Sequence, residues 1–86
     1  MHRTTSRFRS CLAQLPEPVQ RIARRNFELL KENPSHPSLQ FKKVGKLWSA
    51  RIGLNHRALA VEDGADFTWV WIGPHDEYLR IIKQQR

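Results

Sequence analysis

The sequence predicts an α+β fold: an N-terminal helical pair, a four-stranded antiparallel sheet that a short N-terminal strand can extend, and a short C-terminal helix. Three observations predict it. Val19, Ile22, Ala23, Phe27 and Leu30 recur at helical spacing, while Gln20, Arg21, Arg24, Arg25, Glu28 and Lys31 cover the opposite side. After Leu39 the period becomes extended, in short segments separated by turn signals. Connections that short join antiparallel neighbours, because a parallel return needs a long crossover.

The elements follow in order. Residues 2–5 suffice only for a short strand. Thr4, Thr5 or Ser6 can cap a first helix in which Phe8, Leu12 and Leu15 share a face, and Pro16 ends it. Pro18 belongs in the first turn of the second helix, where its missing N–H costs nothing. The run Asn33-Pro34-Ser35-His36-Pro37-Ser38 breaks that helix into a loop. Strands are expected over residues 41–44, 47–52, 56–62 and 67–72, with turns at Gly45, Gly53 to Asn55, and Asp63-Gly64. Phe67-Thr68-Trp69-Val70-Trp71-Ile72 is apolar at nearly every position, which predicts a central strand covered on both faces. Gly73-Pro74 closes that strand and opens the last helix, with Pro74 at its first position. His75, Tyr78, Leu79 and Ile82 are expected on one face of it.

With 86 residues the chain has room for one domain, 1–86, and its three Trp, four Phe and one Tyr supply much of the core bulk. A 40% hydrophobic content argues against disorder. No apolar run approaches the roughly 20 residues of a membrane span, and no signal-peptide core follows Met1. Cys11, the single cysteine, cannot form an internal disulfide and fits a reducing cytoplasm. Fifteen Lys and Arg against eight Asp and Glu leave a net charge of +7, which favours polyanionic partners: nucleic acid, a ribosome or an acidic protein.

The element order carries a set of short motifs: Leu15-Pro16…Val19-Gln20, Asn33-Pro34…His36-Pro37-Ser38-Leu39, Leu47-Trp48-Ser49-Ala50-Arg51-Ile52-Gly53, His56-Arg57-Ala58-Leu59, and Trp71-Ile72-Gly73-Pro74-His75-Asp76-Glu77-Tyr78. Together, in this order, they resemble the RelE/ParE superfamily of toxins from type II toxin–antitoxin systems, and the resemblance covers nearly the whole chain. It implies the superfamily's fold, no cofactor, and a cognate antitoxin that holds the toxin inactive. RelE-like members cleave mRNA in the ribosomal decoding site, which would make ribosome and mRNA the partners. ParE-like members share the fold and poison DNA gyrase instead.

Cleavage by 2′-OH attack demands a base, an acid and fixed cations, and no metal in principle. Arg57 matches the superfamily's Tyr/His-Arg-Leu segment, whose Arg contacts the scissile phosphate in RelE-like members; the plainer expectation is an edge Arg paired with a carboxylate such as Glu62. Arg51 resembles a second cationic position of that site, and is otherwise a solvated strand residue. His75 stands where RNA-cleaving members place an Arg or a His for proton transfer; the alternative is a helix-start His bonded to backbone. Tyr78 matches a C-terminal-helix Tyr that stacks on a base or assists proton transfer, and is otherwise core beside Leu79 and Ile82. Lys42, Lys43 and Lys46 are assigned to an RNA-facing surface, or else are solvated charges.

The chain departs from the family pattern twice: RelE has more residues between the positions of His75 and Tyr78, and no Glu stands out where some members use one as base. His2, His36, His56, His75 and Cys11 lack metal-ligand spacing, and the glycines form no phosphate-binding loop. Two other functions stay open. One is a ParE-like gyrase inhibitor without catalysis; the other is a degenerate member that retains RNA or antitoxin binding.

Overall fold

The computed structural model describes residues 1–84. Strand β1 (His2–Thr4) leads into α1 (Ser6–Ala13), whose N-cap is Thr5. The Thr5 hydroxyl accepts from the Phe8 backbone N–H at 3.1 Å and reaches Trp69 O at 3.3 Å, so one side chain caps the helix and ties it to the sheet. Helix α2 (Glu17–Glu32) starts immediately after Pro16 and holds Pro18 in its first turn. The loop after it is not wholly irregular: Pro37–Leu39 form one 3-10 turn, which buries Leu39 completely.

Four strands follow: β2 (Lys42–Val44), β3 (Leu47–Ile52), β4 (His56–Asp63) and β5 (Asp66–Pro74); α3 (His75–Gln84) ends the described chain. β2 to β5 form an antiparallel meander, as the short turns require. The sheet nevertheless has five strands and is mixed, because β1 pairs in parallel with β5 in the order β1-β5-β4-β3-β2. Short-turn logic governs consecutive strands only. It says nothing about a strand that returns after most of the chain has intervened.

Helices α1 and α2 cover one face of the sheet. Phe8, Ala23 and Leu30 pack there with Ala50, Ile52, Ala58, Ala60, Trp69 and Ile72. Helix α3 covers the other face, where Tyr78 packs with Leu59 and Trp71. A bulge reconciles the two layers with the apolar run in β5. Leu59 pairs with Trp71 and Ala60 with Trp69, which leaves Val70 as the extra residue. Trp69 and Ile72 therefore face α1 and α2, whereas Val70 and Trp71 face α3.

Two expectations for the C-terminal segment need correction. Pro74 is the last residue of β5, opposite His56, and α3 begins at His75. A strand end tolerates proline because no further ladder hydrogen bond is required of it. Leu79 is 43% exposed, and the buried face of α3 is Tyr78 with Ile81 and Ile82. No described helix is long and apolar enough to cross a membrane.

Candidate functional site

Strand periodicity builds the site. Side chains alternate across a strand, so Ser49 and Arg51 share the α3-covered face of β3, and Arg57 and Leu59 share that face of β4. Cross-strand pairing lines these into rows: Lys42, Ser49, Leu59 and Trp71 in one, and Arg51, Arg57 and Gly73 in the next. Helix α3 covers the first row. The second lies toward the β3–β4 turn at Gly53, where a positive φ of 64° suits glycine.

Arg51 and Arg57 are direct cross-strand partners. Two like charges in that position repel. Neither forms an ion pair with a carboxylate among the described residues. Glu62, the partner expected for Arg57, instead accepts from Trp48 Nε1 at 3.3 Å. Arg51 Nε donates to Gly53 O at 2.8 Å, and Arg57 Nη1 to His56 O at 3.2 Å. These bonds leave most guanidinium N–H groups of both residues for an anion.

The Arg57 guanidinium lies over the Tyr78 ring, 5.8 Å from its centroid. Partial burial lowers its pKa from the usual arginine value; the Arg51 charge lowers it further, and Tyr78 acts in the opposite direction. Arginine stays charged through any such shift. The Tyr78 side chain is buried, with its hydroxyl donating to Ser49 Oγ at 3.3 Å.

His75 begins α3 one turn before Tyr78, with its ring 5.6 Å from the Tyr78 ring. Its backbone N–H donates to Asn55 O at 2.8 Å, which fastens the start of α3 to the β3–β4 turn. An open depression there is lined by Leu54, Asn55, His56, Arg57, Pro74, His75 and Asp76. His56 was not assigned a role from sequence. Burial lowers its pKa and favours the neutral imidazole, which can accept a proton.

The three lysines part company. Lys42 and Lys43 belong to edge strand β2 and Lys46 to the following turn. Lys42 opposes Ser49 on the α3 side, and Lys43 opposes Trp48 on the other side. One lysine of the three thus shares a sheet face with the arginine pair.

In sequence, no family model and no curated protein matches the chain. In structure, it is similar to the toxin of the RelB–RelE antitoxin–toxin complex from Methanococcus jannaschii, with a TM-score of 0.72 and 14% identity, covering 92% of this chain and 96% of that one. The chain has the RelE fold. A toxin–antitoxin complex of the RelBE type from Mycobacterium tuberculosis gives a TM-score of 0.63 at 20% identity, over 87% of this chain and 96% of that one. The archaeal RelE–RelB complex from Pyrococcus horikoshii gives 0.62 at 18% identity, over 85% and 91%. Arg57 and His75 line the open depression at one end of the sheet, Arg51 is the cross-strand partner of Arg57 outside that lining, and Tyr78 is buried behind Arg57.

Sequence reasoning overlooked Ser49, His56 and Gly73 as parts of this region. The signal for Ser49 was present, since a period of two places it on the face of Arg51. Gly73 had none, because its importance depends on where the Trp71 ring lies.

Proposed function

We propose that the chain, residues 1–86 as one domain, is the toxin of a type II toxin–antitoxin system and a ribosome-dependent mRNA endoribonuclease. The supporting observation is the Arg51–Arg57 pair: two cations that are direct partners on adjacent strands, with no ion pair to a carboxylate among the described residues. A sheet tolerates such repulsion at a functional position that receives an anion. A phosphodiester fits, since a planar guanidinium presents paired N–H donors to phosphate oxygens.

In this reading the RNA 2′-oxygen attacks the adjacent phosphorus while the bond to the 5′-oxygen breaks. The products are a 2′,3′-cyclic phosphate and a 5′-hydroxyl. Arg57 and Arg51 stabilise the charge that builds on the phosphoryl oxygens. His75, which lines the depression with Arg57, transfers a proton to or from the reacting oxygens. Lys42, with Lys43 and Lys46 at the edge, draws the RNA backbone toward the sheet. A cognate antitoxin is the protein partner and the cytoplasm the site of action.

Translation in vitro with purified protein, followed by primer extension on the mRNA, tests the proposal. Cuts within the decoding-site codon are expected for the wild type. Arg57→Ala is expected to reduce them by about a hundredfold or more, the scale of losing an oxyanion-stabilising donor, and His75→Ala to reduce them strongly. Intact mRNA in every lane would reject the nuclease. Inhibition of gyrase-mediated supercoiling would then establish the binding-only alternative.

A further inference from the structure

Ser49 is the one buried polar residue among the described residues, 1% exposed at the middle of β3, between Leu59 on β4 and Lys42 on β2. On that face Leu59, Leu47 and Trp71 belong to the apolar cluster around Tyr78, whereas Lys42 and Arg51 carry charge at its border. A hydroxyl in such a place calls for a partner, and Tyr78 supplies it at 3.3 Å. The ring of the same Tyr78 carries the Arg57 guanidinium on its face. No buried side-chain polar atom among the described residues lacks a hydrogen bond, so this chain of contacts is complete.

We infer that Ser49 is a positioning residue of the Arg57 site: its bond to the Tyr78 hydroxyl fixes the ring that seats the Arg57 guanidinium against Arg51. The inference rests on the phosphate-binding role proposed for Arg57. Arg57 sits opposite a like charge and forms no ion pair with a carboxylate among the described residues. The electron-rich face of Tyr78 is the compensating contact. The hydroxyl lies on the axis of the ring's second torsion, so its tether acts on the first torsion and holds the position of the ring as a whole. Tyr78 accordingly serves from beneath, with its hydroxyl committed to Ser49, and does not touch RNA.

Three variants test this: Ser49→Ala, Tyr78→Phe and the double variant. Each single change strands a buried hydroxyl and lowers the melting temperature; removing both hydroxyls together recovers most of that loss. Single-turnover cleavage of ribosome-bound mRNA should fall about three- to tenfold in each single variant, as expected for one hydrogen bond. It should stay equally low in the double variant although stability has returned. In the free protein, the Arg57 side-chain proton resonances should lose part of their upfield ring-current shift in all three variants.

Recovery of cleavage together with stability in the double variant would show a merely structural role and overturn the inference. So would a much larger loss in Tyr78→Phe than in Ser49→Ala, which would mean that the phenol acts on RNA directly. If the wild type cleaves no mRNA, the nuclease reading fails by itself. The Arg57 resonances, measured without RNA, still decide the positioning claim: no change in Ser49→Ala overturns it.

Discussion

Arg51 and Arg57 illustrate how a single cross-strand register gives two residues their meaning. As separate strand residues they are ordinary; as direct partners they form a cationic pair that destabilises the sheet. Gly73, next in the row, has a different constraint. A Cβ built there would fall 2.5 Å from Trp71 Cζ2, because the indole lies across the glycine. Gly73→Ala is therefore expected to destabilise the protein by about 1–3 kcal/mol, the usual scale of overpacking. Thermal unfolding measures it, and an unchanged melting temperature would show that the indole can move aside.

At the scale of elements, β1 is, like β2, an edge strand of only three residues with one neighbouring strand. Its anchor is His2, whose Nδ1 accepts from Trp69 Nε1 at 3.1 Å while its ring stacks on Phe67 and meets Phe27 edge-on. Burial, then the N-terminal ammonium and Lys31, lower the His2 pKa, and Asp66 opposes them. A histidine whose folded pKa is depressed binds more protons unfolded than folded. Its contribution is complete above the ordinary value near ~6.5 and is lost as pH falls from there through the folded value. The melting temperature is expected to drop as pH falls below about 6.5, with His56, also depressed by burial, adding to the loss. His2→Asn keeps an acceptor for Trp69 without a titrating group and should flatten the His2 share; an equally steep profile in that variant would assign the effect elsewhere.

For the whole molecule, charge is the governing quantity. A net +7 is spread over both layers, with Arg21, Arg24 and Arg25 exposed on α2 and Lys42, Arg51 and Arg57 on the α3 side of the sheet. Binding to single-stranded RNA should then weaken at least about tenfold between roughly 50 and 200 mM salt, through counterion release. Fluorescence anisotropy with a labelled RNA oligonucleotide measures the slope. Arg57→Ala should flatten it by about one phosphate contact, whereas salt-independent binding would argue against a phosphate-led interface.

Sequence alone determined the amphipathic α2, the meander from Lys42 to Pro74 and the basic character of the chain, because helical spacing, period-two alternation and turn glycines are local properties. It also nominated Arg51, Arg57, His75 and Tyr78 as a group. Only the tertiary structure decided that β1 joins β5 in parallel, that Val70 is an extra residue in its strand, and that Leu79 faces outward. The same holds for the division of Lys42 from Lys43, the facing arginines and the burial of Tyr78 against Ser49. Each depends on strand register or on a contact between segments distant in the chain. Local periodicity says which residues share a face, but only the pairing of one strand with another says which of them meet.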